Sequence, residues 1–359
     1  MVEWKKLGEI VKRNKGIPIT ASQMSELASF DGNVRVFAAG QTVADIDESL
    51  LPANCSYNKP SIIIKSRGYV DFEYYDKPFT HKNEMWSYSF DDRTLCKFIF
   101  YYLTIKTEGF RKKARANSVK LPQLCVADTD DFLIPIPSLS ERTRIVGILD
   151  TFTASIENLK QQIAQRRKQY EHYRDQLLDL EGKEGVEMKT LGEVCVLITG
   201  GEVPDNTNKG QLQPTEDHPY AVYTNGKEVY GFSNTYQVDA DTVCISSIGA
   251  NTGAIFYKTG RFTPAIRLKV LLPKEGLIPK YLFYACSKID FRGRNTGSVP
   301  NINANYVKGR KLFVPSFAEQ QRIVSILDTF EDSIANMEQQ LAQRERQYEY
   351  YRNKLLTFE

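Results

Sequence analysis

The sequence predicts an α+β fold in which a pair of long antiparallel coiled-coil helices separates two mixed α/β globular domains, with a pseudo-two-fold internal repeat. Three observations predict it. Residues 137–178 and 315–356 align without a gap, and about 26 of 42 positions are identical. Both segments carry the same apolar stripe. The stretches in front of them show the same order of short strand-like runs and apolar segments, with mostly different residues.

The repeated segment predicts a long helix with one apolar face. Its stripe advances in alternating steps of three and four residues, which keeps one side turned to one partner, as in a coiled coil. Arg166 in the first copy and Arg344 in the second interrupt the stripe, which continues to Leu177 and Leu355. The predicted seam residues are Ile145, Leu149, Phe152, Ile156, Leu159, Ile163 and Tyr170, and in the second copy Ile323, Leu327, Phe330, Ile334, Met337, Leu341 and Tyr348.

The start and the direction of the two helices follow from local chemistry. Each copy begins with a proline followed by an S-x-x-E capping box, at 138–141 and 316–319. A parallel pair in register would set Arg166 directly against Arg344, and two like charges in a partly desolvated layer cost free energy. We therefore expect the pair to be antiparallel. Two unrelated amphipathic surface helices are the alternative, and the shared caps and stripe disfavour it.

The first globular stretch contains a recognisable series of elements. A short amphipathic element opens it, strand-like runs follow, residues 95–105 read as a buried helix, residues 109–122 as a basic loop, and residues 130–137 as a last strand. The series then restarts at residue 188. The predicted division is a first globular domain, a first helix, a linker, a second globular domain and a second helix, at 1–136, 137–180, 181–187, 188–314 and 315–359.

Composition narrows the class of protein. The net charge is only +3, so any surface for nucleic acid must be local. Six scattered cysteines without a C-x-x-C pair fit reduced thiols, and hence a cytoplasmic protein. No apolar run reaches the length of a membrane span, so no membrane association is expected. Nucleotide-binding glycine motifs are missing, and the histidines and the aspartates at 128–131 show no metal or catalytic arrangement. We therefore expect no catalytic residues, no metal and no cofactor in this chain.

Local basic stretches at corresponding places in the two domains are the candidate binding surfaces. Lys and Arg neutralise phosphates, while Arg and Asn also form paired hydrogen bonds with base edges. An ordinary solvated loop is the alternative, but the stretch is basic in both domains although the sequences differ. The predicted DNA-binding residues here are Arg111, Lys112, Lys113, Arg115 and Lys120 in the first domain and Arg292, Arg294, Asn295, Asn301 and Asn303 in the second.

A second set of candidates follows predicted strands. Polar and basic side chains in such loops, one of which contains glycines, can also contact phosphates. Such loops are also common on surfaces that bind nothing. The residues of this set are Thr224, Asn225, Lys227 and Asn251, with Lys65 and Arg67 as their counterparts in the first domain.

The whole chain resembles the specificity subunit of Type I restriction–modification enzymes. The resemblance is carried by the two openings PSLSERTRIVGILDTF and PSFAEQQRIVSILDTF, the L-G-E starts at 4–9 and 190–193, and GSVPNINANYV at 297–307. It covers the chain in the family's order, namely target recognition domain, helix, target recognition domain and helix. The segment NSVKLPQL at 117–124 departs from the pattern GSVPNINA.

The resemblance implies a function for each part. Each target recognition domain would read one half of a bipartite site in double-stranded DNA, and the helices would set the unread spacer. Two methyltransferase (modification) subunits would dock on the helices, restriction subunits would join the full complex, and S-adenosylmethionine, ATP and magnesium would belong to those partners. Two alternatives stay open: a coiled-coil adaptor between proteins that does not recognise DNA, and a self-sufficient nuclease.

Overall fold

The chain folds into two units of mixed α and β structure, as the sequence predicts. The structure is a computed structural model and describes residues 2–118, 120–292 and 301–358. Unit 1 comprises Met1–Lys160 together with Gln339–Glu359, and unit 2 comprises Gln161–Glu338. Each unit therefore contains one globular domain and one part of each long helix.

Unit 1 begins with short strands and ends in a helical layer. A 3-10 helix at Glu48–Leu50 interrupts the strands. The strands are β1 (Glu3–Lys6), β2 (Arg13–Lys15), β3 (Val34–Phe37), β4 (Val43–Ile46), β5 (Ser61–Lys65), β6 (Asp71–Tyr75), β7 (Phe79–His81), β8 (Trp86–Ser89) and β9 (Leu133–Ile136). The helices are α1 (Leu7–Ile10), α2 (Ala21–Leu27), α3 (Arg93–Ile105), α4 (Thr107–Asn117), α5 (Val126–Asp130) and the long α6 (Leu139–Leu177).

Two sheets and one strand pair make up the β structure of unit 1. Strands β2, β8, β5 and β6 form an antiparallel sheet in that order. Strand β3 pairs antiparallel with β4 and parallel with β7, and β1 pairs with β9. Helix α3 starts where the Asp92 carboxylate accepts hydrogen bonds from two backbone amides, which is an N-cap. Its apolar face then enters the main core of the unit.

Helix α4 corrects the prediction of a loop at 109–122. Basic residues and alanine favour helix, and the segment has no proline before Pro122. Phe110 and Ala114, four positions apart on one face, are both buried in the unit 1 core. The predicted basic loop is therefore mostly the exposed face of a helix.

Unit 2 repeats the order of the paired strands with additional edge strands, and no helix stands at the place of α2 among its described residues. The strands are β10 (Glu187–Thr190), β11 (Cys195–Thr199), β12 (Asn208–Lys209), β13 (Tyr220–Tyr223), β14 (Val229–Ser233), β15 (Val238–Asp239), β16 (Thr242–Ile245), β17 (Ile255–Lys258), β18 (Arg261–Pro264), β19 (Lys269–Pro273) and β20 (Lys311–Val314). The helices are α7 (Leu191–Val194), α8 (Pro279–Cys286), α9 (Ala304–Lys308) and the long α10 (Phe317–Leu355).

The sheets of unit 2 correspond strand by strand to those of unit 1. The antiparallel sheet β11-β19-β16-β17 corresponds to β2-β8-β5-β6, and the pair β10–β20 to β1–β9. The sheet β12-β14-β13-β18-β15 contains the same parallel pairing, between β13 and β18, that β3 and β7 make in unit 1. Strands β12 and β15 are the added edges.

Each long helix is tied to a globular domain by the same polar contact. In unit 1 the Asp150 carboxylate accepts hydrogen bonds from Lys97 Nζ at 2.6 Å and Tyr101 Oη at 2.7 Å. In unit 2 Asp328 accepts from Tyr284 Oη at 2.5 Å, with Lys280 Nζ at 3.5 Å. Both aspartates belong to the repeated I-L-D-T-F sequence, so this part of the repeat is needed for docking to the unit's own α3 or α8.

The first part of each predicted seam lies in a globular core, which the periodicity alone does not indicate. Ile145 and Leu149 are fully buried in the unit 1 core, and Ile323 and Leu327 in the unit 2 core. The apolar stripe continues along the helix without a break, but its first turns face the domain that precedes it. The seam residues Ile156, Leu159, Ile334, Met337 and Leu341 are half-buried, and Ile163 is buried.

Aromatic side chains join segments of the two long helices within each unit. In unit 1 the Phe152 ring stacks on Tyr351 with centroids 5.5 Å apart, and Lys160 pairs with Glu345. As the residue number rises on α6 it falls on α10, so these segments run in opposite directions. Unit 2 repeats the arrangement, where the aromatic contacts are Tyr170 and Tyr173 against Phe330 and the ion pair is Arg167 with Glu338.

The two arginines of the stripe also occupy matching places. The Arg166 guanidinium lies over the Phe330 ring in unit 2, and the Arg344 guanidinium over Phe152 in unit 1, each 5.7 Å from the ring centroid. A cation over an aromatic face is attracted by the ring quadrupole. Within the described ranges, no helix is both long and apolar enough to cross a membrane.

Candidate nucleic-acid interface

In unit 1 three backbone hydrogen bonds bring the candidate residues to one region. The loop after β5 is held against residues 121–124, where Leu124 N donates to Ser66 O at 2.8 Å and Gly68 N to Pro122 O at 2.9 Å. Gln123 N in turn donates to Ala114 O, which adds helix α4 to the cluster. Arg67 is bridged to Gln123. The candidates of the first domain thus gather around one loop and one helix.

Three of these basic side chains already have partners within unit 1. Arg111 donates to Val70 O at 2.9 Å, pairs with Glu108 and lies 4.2 Å from the Tyr69 ring centroid. Lys113 pairs with the buried carboxylate of Asp128 at 2.9 Å, and Lys65 pairs with Glu73 at 2.7 Å. Because these cations stabilise the fold, their presence in the cluster is explained without a ligand.

The remaining candidates of unit 1 are exposed cations. Lys112, Arg115 and Lys120 extend into solvent, as does Arg67. None of the four forms an ion pair within residues 2–118, 120–292 and 301–358. They are the side chains of this cluster that can neutralise phosphates without first breaking a contact.

Asp128 is a buried carboxylate, which its place in a run of acidic residues does not indicate. It lies in helix α5 and is only 5% exposed. It accepts hydrogen bonds from Asn117 Nδ2 at 2.9 Å and from the Cys125 amide at 2.7 Å, besides the Lys113 pair. The aspartate organises the end of α4, and no cluster of metal-ligating side chains occurs among the residues that the structure describes.

In unit 2 Asn225 joins three loops. Its side-chain amide donates to Ile266 O, and its Oδ1 accepts from Ser247 N at 2.7 Å. Asn251 Nδ2 donates to Asn225 O at 3.3 Å. The structure therefore brings the predicted residues Asn225 and Asn251 together, and Asn225 acts as a brace because both ends of its amide are used within the fold.

The loop that contains Ser247 matches the loop of Ser66 in unit 1. Ile302 N donates to Ser247 O at 2.8 Å, as Leu124 N does to Ser66 O. The backbone of Ile248 also forms a β-bridge with that of Asn301, and in unit 1 Arg67 forms the matching β-bridge with Gln123. Gln123 and Leu124 therefore occupy the places that Asn301 and Ile302 occupy in unit 2, although the segment 117–124 is the looser sequence match.

The other candidates of unit 2 differ in their roles. Asn303 Oδ1 accepts from Tyr306 N at 2.8 Å, so this side chain caps α9. Arg292 donates from Nε to Thr252 O at 3.2 Å. Thr224 is half-buried next to Asn225, and Lys227 is exposed. Arg294 and Asn295, also predicted to bind DNA, lie outside the described residues.

One feature of this region has no signal in the sequence. The turn at Ala265–Leu268 carries two non-glycine residues with positive φ, Ile266 at 49° and Arg267 at 61°. Burial lowers the pKa of Lys269, which directly follows the turn. No glycine or asparagine marks the two strained positions, so periodicity and turn statistics do not find them.

Comparison with known families gives the same result for both units. The model of the type I restriction modification DNA specificity domain matches twice, over residues 1–166 and 183–346. The specificity subunit of the EcoR124I/EcoR124II type I restriction enzyme of Escherichia coli is 30% identical, with 99% of this chain and 94% of that protein covered. A putative type I specificity subunit of Haemophilus influenzae, S.HindORF215P, is 26% identical with coverages of 99% and 96%.

Solved structures agree in fold. The S subunit of a type I restriction-modification system from M. genitalium superposes with a TM-score of 0.73 at 18% identity, covering 100% of this chain and 97% of that one. A chain from a study of complex assembly and conformational transition of the type I R-M system gives a TM-score of 0.53 at 16% identity, with 99% and 97% covered. At these identities the likeness concerns the fold.

Proposed function

The chain belongs to the type I restriction modification DNA specificity domain family, and on that premise we propose that it is the DNA sequence-specificity subunit of a Type I restriction–modification complex. The observation that carries the proposal is the double match of the family model, each time over one globular domain and the long helix that follows it. Two globular domains with corresponding sheets and different surface residues are suited to reading two different DNA half-sites. The chain itself recognises DNA, and the chemistry takes place on its partners in the cytoplasm.

We assign one target recognition domain to residues 1–136 and the other to residues 188–314. In this proposal the helices at 137–180 and 315–359 form one antiparallel coiled coil and relate the two halves by a pseudo-two-fold repeat. The linker 181–187 joins the first helix to the second globular domain. The opposite direction of the α6 and α10 segments within each unit supports it. The coiled coil then fixes the length of the unread spacer between the half-sites and provides matching docking places for two modification subunits.

The exposure of each candidate side chain indicates whether it can contact phosphates. Arg67, Lys112, Arg115 and Lys120 in unit 1 and Lys227 in unit 2 supply phosphate contacts, because their charges are exposed. Braced residues such as Asn225 shape the surface instead of reading a base.

The methylated motif of the assembled complex tests this function. The chain is produced together with its modification subunits in a methylation-free bacterial host, and methylated adenines are mapped by long-read sequencing. We expect one bipartite motif with a spacer of fixed length. Absence of methylation in an assembled complex, or one continuous motif, would contradict the proposal.

The same preparation separates the alternatives. A protein adaptor without DNA recognition would assemble with partners but would bind genomic fragments without preference in a gel-shift assay. A self-sufficient nuclease would cleave DNA as the purified chain with magnesium, and we expect no cleavage.

A further inference from the structure

The turn between β18 and β19 has a backbone conformation that its residues disfavour. Ala265 O accepts from Leu268 N at 3.2 Å, and both central residues have positive φ, which makes it a type I′ turn. Such turns normally carry asparagine and glycine. In this turn the two central positions hold Ile266 and Arg267. Isoleucine is β-branched, and a β-branched residue at positive φ is a clear outlier.

The surrounding structure holds every backbone polar group of these two residues. Ile266 N donates to Gly201 O at 2.7 Å and Arg267 N to Gly200 O at 3.0 Å. Their carbonyl oxygens accept from the Asn225 amide and from Ser247 Oγ, the latter at 2.6 Å. A strained backbone persists only where its neighbours over-determine it, and four hydrogen bonds do so here.

The strained conformation aims both side chains outward. Ala265 and Leu268, the outer residues of the turn, are 0% and 1% exposed, whereas Ile266 is 39% exposed and Arg267 is also exposed. Across the described ranges, the Arg267 guanidinium has no hydrogen-bond or ion-pair partner. An apolar side chain and an unpaired guanidinium thus stand side by side at the place where Asn225, Ser247 and the Asn251 loop meet.

Unit 1 has a turn at the matching position, with different residues and a different backbone conformation. Asn83 N donates to Ile17 O and Met85 N to Lys82 O, each at 3.0 Å, which matches the bonds of Ile266 and Leu268. Ser66 Oγ donates to Glu84 O at 2.7 Å, as Ser247 Oγ does to Arg267 O. Neither Asn83 nor Glu84 has a positive φ.

Close approach to the turn is also built into both units. A Cβ at Gly200 would lie 2.7 Å from Ala265 N, and a Cβ at Gly16 would meet the backbone of Lys82. The common frame therefore fixes the position of the turn in each unit. Only the two side chains at its tip and their backbone conformation differ between the units.

We propose that the Ile266–Arg267 turn is a base-reading element of unit 2, with Arg267 contacting a guanine and Ile266 packing against the neighbouring base. A guanidinium donates two parallel hydrogen bonds to guanine O6 and N7, the commonest specific contact in the major groove. The fixed turn spares the loop an ordering cost on binding. This inference rests on the proposed function and names the residues that carry it out in one half-site.

The central test replaces Arg267 in the assembled complex. With Arg267→Ala we expect the preference for one guanine in the unit 2 half-site to fall about 5- to 150-fold, the range of one bidentate contact, while the other half-site stays unchanged. Arg267→Lys should lose most of the same preference, because an ammonium lacks the planar fork. Discrimination is measured by competition binding with every single-base variant of the wild-type motif.

A second variant separates the side chains from the backbone. Ile266→Asn combined with Arg267→Gly restores the residues that a type I′ turn favours. We expect a higher unfolding temperature together with the loss of discrimination. A lower unfolding temperature would overturn the assignment of strain. Glu84→Ala, the matched change in the turn of unit 1, should leave the unit 2 half-site as it is.

Two results would overturn the inference while leaving the proposed function intact. One is an Arg267→Ala complex with the wild-type motif and unchanged discrimination. The other is a uniform loss of affinity for all sequences with a salt slope smaller by about one, which identifies a phosphate contact. If instead the wild-type complex yields no bipartite motif, the proposed function itself fails.

Discussion

Removing one buried leucine from either long helix should destabilise the unit in which that leucine is buried. Leu149 and Leu327 occupy matching positions of the repeat and are both 0% exposed, the first in the unit 1 core and the second in the unit 2 core. A buried Leu→Ala change costs about 2–5 kcal/mol. For a body of this size, one kcal/mol lowers the unfolding temperature by about 2–4 °C, so a fall of about 4–20 °C is expected.

The tryptophans provide a probe that distinguishes the two units. Trp4 and Trp86 both belong to unit 1, and Trp86 is only 5% exposed. Leu149→Ala should therefore lower the transition seen by tryptophan fluorescence more than Leu327→Ala does, while calorimetry detects both changes. Leu159→Ala, at a half-buried position of the same stripe, is the matched control and should have a smaller effect. Equal shifts of the fluorescence transition by Leu149→Ala and Leu327→Ala would refute the assignment of these leucines to separate cores.

Three further predictions concern pH, salt and length. Burial lowers the pKa of His81 below its ordinary value of 6.5. The stability that the neutral imidazole contributes is therefore complete above pH 6.5 and is lost as the pH falls through the lowered pKa. His81→Gln should remove this part of the pH dependence of the unfolding free energy, measured by urea titrations. Exchanging the exposed Lys112 and Arg115 for alanine should reduce the slope of log affinity against log salt by about two, and an unchanged slope would show that α4 does not face DNA. Inserting one heptad into each helix near Ala164 and Ala342 keeps the stripe in phase and adds about 10 Å. The spacer should then grow by about three base pairs at about 3.4 Å each, and the motif methylated by an active variant checks it.

Periodicity predicts most of the helices and strands, because it is a property of single segments, and the repeat predicts that their order recurs. The helix predicted at 95–105 is α3, the last strand predicted at 130–137 contains β9, and the predicted strand-like runs between them and the first element include β3, β5 and β6. The prediction of a loop in place of α4 is wrong, because a run of basic residues indicates an exposed surface and not a particular backbone conformation. A heptad pattern does not identify which surface covers it, so the sequence does not distinguish the first seam positions, which lie in the globular cores, from positions between two helices.

Roles within the candidate interface depend on contacts between distant segments. Asn225 reads as a DNA-binding residue in the sequence, yet its amide is bonded to Ile266 O, 41 positions away. Arg111 reads as a phosphate contact, yet it is bonded to Val70 O, also 41 positions away. The strained turn of Ile266 and Arg267 is set by four partners from other loops, none of which is adjacent in the sequence.

Exchange of one globular domain shows whether two independent domains on a common helical frame each read one half of a site. In a hybrid, residues 188–314 are replaced by the equivalent segment of a relative whose methylated motif is known. The hybrid is assembled with the modification subunits, and methylated adenines are mapped across a genome. We expect a motif in which one half is the original, the other half is that of the donor, and the spacer is unchanged. A folded and active hybrid that methylates a wholly new site, or still methylates the original one, would contradict it.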